Sequence, residues 1–223
     1  MKAIIVGATG ATGRDLLELV LANPMFDSVE IFVRRNPEII HEKLITHIID
    51  FDNPELWAKS VTGDVLFACL GTTRKDAGSQ EQQWLVDFYY QMEFAKAAKK
   101  NEVPHYVLLS TVMASPNSHF FYTRMKGELE EAVKGLHFSK TTIMRPPALD
   151  RKHTDRVTET ISVGLLKFFN DKGLFENQKP MPTDVLAKAM IMATKIQDSE
   201  FEIWEPPVMW NAGLAYDAVE QEA

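Results

Sequence analysis

Lys2-Ala3-Ile4-Ile5-Val6-Gly7-Ala8-Thr9-Gly10-Ala11-Thr12-Gly13 is a short apolar run that ends in glycines spaced by pairs of small residues. The run reads as a buried parallel strand. Behind it, Arg14-Asp15-Leu16-Leu17-Glu18-Leu19-Val20-Leu21 has the apolar rhythm of a helix packed on a sheet. Strand, glycine turn and helix in that order make a phosphate-binding unit. The glycines permit a tight turn at positive φ, close approach of the backbone to a pyrophosphate, and close contact of helix with strand. The helix start adds unpaired N–H groups and the positive end of a dipole. A lone glycine pattern is weak evidence, but here its strand and helix context is present. The unit predicts an α/β protein with a doubly wound, largely parallel sheet and a dinucleotide seated on it.

Composition narrows the field. The chain has 223 residues, 45% hydrophobic and 25% charged, which suits one globular domain with a full core. No run reaches the 18 or so apolar residues that span a bilayer. The first strand begins at once, leaving no room for a signal peptide, and a cytoplasmic location is expected. The single cysteine, Cys69, excludes an internal disulfide and sits in an apolar strand, where it fills space. The six histidines show no metal-ligand spacing, so no metal site is expected. A net charge of -7 with scattered basic residues argues against nucleic-acid and anionic-membrane partners. The expected partner is a small-molecule substrate.

Further strands follow at Val29–Val33, Leu44–Ile49, Asp64–Leu70, His105–Leu109 and Lys140–Met144, with a short one at Phe201–Trp204. Residues at their carboxyl ends gather at one sheet edge, where ligands bind in open α/β folds. Arg34 and Arg35 stand where the adenosine ribose is read. Guanidinium suits a 2′-phosphate, so NADP(H) is favoured over NAD(H). Asp50, with Phe51 beside it, either accepts from the adenine amino group or starts the helix at Pro54; Asp52 reads as a helix cap. Gly71-Thr72-Thr73-Arg74 is a second small-residue turn at the same edge. A long amphipathic helix is predicted from Gln80 to Lys100, with Trp84, Phe88, Met92, Ala95 and Lys99 on one stripe.

The reactive groups come next. Phe120 to Glu130 has helical rhythm, which sets Tyr122 and Lys126, four apart, on one face. An ammonium near a phenol favours the phenolate and brings it toward a useful acid/base range. Tyr122 would protonate a carbonyl oxygen during hydride delivery, and the hydroxyl of Ser110 or Thr111 would bind the same oxygen. YxxxK alone recurs by chance; its place after the fifth strand and its Ser-Thr tip gives it weight. Beyond Arg145-Pro146-Pro147 the regular alternation stops. Residues 1–150 form the dinucleotide-binding core, and 151–223 are expected to make a small substrate lid on the same domain. Helices are predicted over Val157–Asn170 and from Pro182 to Ile196, with Phe168, Phe169, Phe175, Met181, Trp204, Met209 and Trp210 as apolar lid or core candidates.

GATGATG, VRR, DF, CLGTTR, LLST, YxxxK and RPP occur in one order. With them the chain resembles the atypical short-chain dehydrogenase/reductase superfamily, most of all its Tat-interacting-protein-like oxidoreductase branch, from Met1 to about Ile196. The resemblance implies a Rossmann fold of about seven strands, NADP in the glycine turn and a catalytic set of Ser/Thr, Tyr and Lys. It implies nucleotide contacts from Gly7, Thr9, Gly10, Ala11, Thr12, Arg34, Arg35, Asp50, Leu70 and Gly71, and places Tyr122, Lys126 and Pro146 toward the nicotinamide. Members include regulators, so three functions are weighed: an NADP-dependent carbonyl reductase, an NAD(P)-sensing binding protein, and a nucleotide-sugar epimerase. The first is preferred because Tyr122 and Lys126 are both present, and the short C-terminal part counts against the third. A monomer or a homodimer fits equally.

Overall fold

The computed structural model describes residues 1–150 and 179–221. Seven strands, β1 (Lys2–Val6), β2 (Ser28–Val33), β3 (Leu44–Ile48), β4 (Val65–Ala68), β5 (His105–Leu109), β6 (Lys140–Met144) and β9 (Phe201–Trp204), form one sheet in the order β3-β2-β1-β4-β5-β6-β9. Every neighbouring pair is parallel. A separate short pair joins β7 (Leu149–Asp150) to β8 (Met181–Pro182). Parallel strands need helical crossovers, which cover both faces of the sheet. This is why the inner strands read as continuous apolar runs: Ile4, Ile5, Val6, Val65, Leu66 and Phe67 are all buried.

The helices are α1 (Ala11–Ala22), α2 (Pro54–Trp57), α3 (Arg74–Ala77), α4 (Gln80–Trp84), α5 (Gln91–Lys100), α6 (Phe121–Lys134), α7 (Thr183–Ile196) and α8 (Pro206–Gln221). Alternate strand residues divide the core. Ile5, Ile31, Phe67 and Val107 pack with α1, α7 and α8, while Ile4, Phe32, Leu66 and Leu108 pack with Trp57, Phe94, Leu129 and Val133. The chain winds outward from β1 through β2 to β3, then returns to place β4 on the other side of β1. Two neighbouring loops, 7–10 and 69–73, therefore part at the carboxyl edge, the crevice where such folds hold ligands.

Two glycines set the geometry of the first turn. Gly7 has φ +83°, and a Cβ there would lie 2.5 Å from the Cys69 carbonyl carbon; a Cβ on Gly13 would lie 2.1 Å from the Gly7 oxygen. The first glycine lets the turn pass beneath the β4 tip, and the other lets α1 sit against the turn.

The structure corrects one expectation. The helix from Gln80 to Lys100 is not uniform, since Leu85–Tyr90 is π-helical between α4 and α5. The extra residue in that turn shifts the phase of the buried face. Gln83, Asp87, Tyr90 and Gln91 are buried, while Lys99, expected on the stripe, is exposed. The described part of the C-terminal segment adds to the sheet and its cover: β9 is the outer strand beside β6, α7 packs on α1, and α8 packs on α7. Met181, Trp204 and Met209 are core residues with Trp210 packed against them, which makes them part of the sheet's cover. The helix expected at Val157–Asn170 and the candidates Phe168, Phe169 and Phe175 lie outside the described residues.

Candidate cofactor and active site

The crevice at the carboxyl edge holds two adjoining cavities of about 400 and 220 Å³, which share Gly10, Cys69, Leu70, Gly71, Thr72 and Asp76 as lining. The larger is also lined by Gly7, Thr9, Phe32, Val33, Arg34, Phe51, Val86 and Tyr90. The smaller takes in Ala11, Thr12, Asp87, Leu109, Ser110, Tyr122 and Lys126. One elongated cleft thus runs from the tip of β2, past the glycine turn, to the tip of β5.

At the first end the walls are aromatic. Phe51 is buried against Tyr90, ring centroids 5.3 Å apart, and Trp57 stacks on Phe94 at 4.1 Å behind them. The Tyr90 hydroxyl donates to Asp52 Oδ1 at 2.5 Å, and burial, then that carboxylate, pushes the phenol up to about 12. Arg34 lines this end and Arg35 lies outside the lining, although both are exposed. The two aspartates differ from expectation. Asp50 accepts from the Asp52 N–H at 3.1 Å and from Asn53 Nδ2 at 2.7 Å, closing a turn outside the lining. Asn53 occupies the cap position of α2, and Asp52 serves Tyr90.

In the middle, α1 begins at Gly10 with no side-chain cap and no acidic residue in its first turn. Its N–H groups and dipole are thus met by no side-chain cap or first-turn carboxylate among the described residues, which fits an anion. The opposite wall, Leu70–Thr72, is held from behind by a polar stripe that sequence reading missed. Gln83 Nε2 donates to the Thr72 carbonyl at 3.2 Å, Asp87 Oδ2 accepts from the Thr72 N–H at 2.8 Å, and Gln91 Nε2 donates to the Leu70 carbonyl at 3.1 Å. The signal was available: three polar residues at four-residue steps on a helix otherwise buried by apolar ones.

At the far end α6 carries Tyr122 and Lys126 into the cleft together. Lys126 is 2% exposed and donates to the Leu109 carbonyl at 3.3 Å; its ammonium is 3.7 Å from Asp87 Oδ1. Burial pulls the lysine down and pushes Asp87 up, each opposed by the other's charge. Ser110 also lines this end, with its N–H donating to the Met144 carbonyl at 2.8 Å. Its hydroxyl donates to Glu130 Oε1, and Glu130 is gripped by Arg145 through Nη2 at 2.5 Å and Nε at 3.1 Å. Thr111 and Pro146 are absent from the lining; the Pro146 carbonyl accepts from the Val112 N–H at 3.1 Å. Cys69, buried at the end of β4, keeps its proton, its thiol pushed up to about 12 by burial.

A family of proteins described as NAD(P)H-binding matches residues 7–170, nearly the whole run of elements that build this cleft. The chain belongs to that family. Among its relatives is the protein FMP52-1, mitochondrial, of Scheffersomyces stipitis, 31% identical over 94% of this chain and 93% of that one. Another is the protein fmp52, mitochondrial, of Emericella nidulans, 37% identical over a stretch that covers 64% of each chain. Solved structures of the same fold include a UDP-glucose 4-epimerase from Thermotoga maritima with UDP-glucose (TM-score 0.70, 13% identity, 92% of this chain and 76% of that one). A short chain dehydrogenase from Burkholderia cenocepacia in complex with NADP gives a TM-score of 0.65 at 14% identity, over 99% of this chain and 96% of that one. The resemblance to short-chain dehydrogenase/reductases and the seven-stranded Rossmann sheet are thereby borne out. The cytoplasmic expectation is corrected, because the FMP52 relatives are named as mitochondrial proteins. Among the described residues no helix is long and apolar enough to cross a membrane. That bears on membrane crossing alone, and apolar run length cannot tell one aqueous compartment from another.

Proposed function

We propose that this NAD(P)H-binding protein is an NADP(H)-dependent oxidoreductase that reduces a small carbonyl or related unsaturated substrate. The observation that carries the reading is the continuity of one cleft from Arg34 to Tyr122 and Lys126. When bound, NADPH supplies the hydride. Phe51 and Tyr90 would flank the adenine, and Arg34 would pair with the 2′-phosphate. The start of α1 at Gly10–Thr12 would take the diphosphate. Lys126 would hold the inner ribose, and Tyr122 would give a proton to the substrate oxygen.

Of the two hydroxyls at the tip of β5, Ser110 is the one in the cleft, which favours it over Thr111. Its proton is committed to Glu130, so it offers lone pairs to the cleft and leaves proton donation to Tyr122. The test is turnover of NADPH with a panel of small aldehydes, ketones and quinones by the wild type and Tyr122→Phe. The expected result is activity in the wild type and a loss of about 10²–10⁴ in the variant, with NADPH binding kept. A variant with full turnover would remove Tyr122 from the mechanism.

The same commitment of the Ser110 proton favours one second reading, an NAD(P)-sensing binding protein. A substrate oxygen would meet one donor fewer than a carbonyl reductase uses. NADPH binding without turnover across the panel would select that reading.

A further inference from the structure

We propose that Asp87 is a positioning residue of this site, a single carboxylate on the π-helical turn that clamps the Thr72 backbone with one oxygen and faces the Lys126 ammonium with the other. The assignment rests on the cofactor-cleft reading above and adds to it the group that joins the cleft's two halves.

Asp87 is 1% exposed, yet it lines the inner cavity. Oδ2 accepts from the Thr72 N–H at 2.8 Å, while Oδ1 accepts no hydrogen bond among the described residues and lies 3.7 Å from Lys126 Nζ. An ionised carboxylate buried this deeply is costly unless a cation matches it. A buried ammonium is costly in the same way, and each charge makes the other tenable. The π-turn is what brings the carboxylate there. One extra residue between Trp84 and Gln91 turns Asp87 toward the sheet edge, while Gln91 Nε2 braces the Asp87 carbonyl at 3.0 Å. A mid-helix π-turn costs regular hydrogen bonding and often marks a functional position.

Among the described residues, the other titratable groups around Lys126 act on it less than Asp87 does, although Glu130 also favours its charged form. Glu130, on the same helix, is gripped by Arg145 and takes the Ser110 hydroxyl. Cys69, just past the end of β4, stays a neutral thiol, and Tyr122 precedes the lysine on its own helix. Asp87 is therefore the carboxylate that sets whether Lys126 carries its charge at neutral pH. The same side chain holds the turn along which a cofactor would lie, so lysine charge and turn position are coupled through one group.

The test reads the Lys126 amine directly. Lysines are acylated in trace amounts with acetic anhydride across pH 6–11, and labelling at Lys126 is followed by peptide mass spectrometry with exposed Lys59 as the internal reference. Removing the carboxylate with Asp87→Asn, which keeps an acceptor for the Thr72 N–H, is expected to lower the Lys126 midpoint by at least about one pH unit. That corresponds to about tenfold more neutral amine below the midpoint. Asp87→Glu is expected to restore the wild-type midpoint. If Asp87→Asn does not fold, Asp87→Ser serves for the same comparison. An unchanged midpoint in the folded variant overturns the proposal, as does a shift that Asp87→Glu fails to reverse. Repeating the wild-type labelling with NADPH tests the cleft reading separately. A midpoint shift without NADPH protection would support the role of Asp87 and count against the cofactor assignment.

Discussion

Ser110 donates its hydroxyl proton to Glu130, and Glu130 is held in turn by the Arg145 guanidinium. The three come from the tip of β5, the third turn of α6 and the exit of β6, so one buried network fixes three edges of the inner cavity. Arg145 is only partly buried and keeps a second carboxylate, Glu205, at 3.3 Å, so removing the Glu130 charge costs the charged hydrogen bonds, about 1.5–3 kcal/mol, and not a bare buried cation. Glu130→Gln is expected to lower the melting temperature by about 3–12 °C. Ser110→Ala leaves the ion pair whole and should cost about 1 kcal/mol. Equal losses in the two variants, measured by thermal denaturation, would mean that the ion pair does not carry the network.

Arg34 lines the outer cavity and Arg35 does not, although sequence spacing treats them as a pair. A charged hydrogen bond to phosphate contributes about 1.5–3 kcal/mol, so Arg34→Ala is expected to weaken NADPH binding about 10- to 150-fold. NADH affinity should be almost unchanged, and Arg35→Ala should have the smaller effect on NADPH. Isothermal titration of both cofactors checks this. Equal losses for NADPH and NADH would place the 2′-phosphate elsewhere.

Stability should also depend on pH through a group away from the cleft. His105 is buried on β5, and burial pulls its pKa down to about 4. Its Nε2 lies 3.1 Å from Thr142 Oγ1, whose own proton goes to Gln197, so the imidazole Nε2 is the donor. The unfolded chain takes up a proton near pH 6.5 and the native state only near 4. Stability is therefore complete above about pH 6.5 and falls as pH drops toward 4. The loss between pH 7 and pH 5 is expected to be about 2 kcal/mol. Urea unfolding at both pH values should show it in the wild type and lose most of it in His105→Gln. A variant with the same pH dependence would point to another group.

Much of this was legible before the structure. The strands and the glycine turn declare themselves because a parallel sheet covered on both faces demands unbroken apolar runs and small residues at its switch point. Tyr122 and Lys126 declare themselves through helical spacing. Asp50 was ambiguous because an aspartate at a strand's end serves a turn or a ligand equally well, and its local hydrogen bonds show the turn role. Asp87 and Glu130 were hidden for a different reason. Each works through partners far away in sequence, which spacing along one helix does not reveal even where, as at Gln83, Asp87 and Gln91, the polar stripe itself is visible. The strand at Phe201–Trp204 was legible from its apolar run, but its place beside β6 was not, because β9 comes some sixty residues after β6 in the chain and their pairing is a long-range event.

The central claim is that the cleft takes a phosphorylated dinucleotide, and thermal unfolding with NADPH and with NADH at matched concentrations tests it most directly. Ligand at about 100 times its dissociation constant stabilises by about 2.7 kcal/mol, which raises the midpoint of a chain this size by about 5–10 °C. That rise is expected with NADPH and a much smaller one with NADH. No rise with either, or a larger one with NADH, would contradict it.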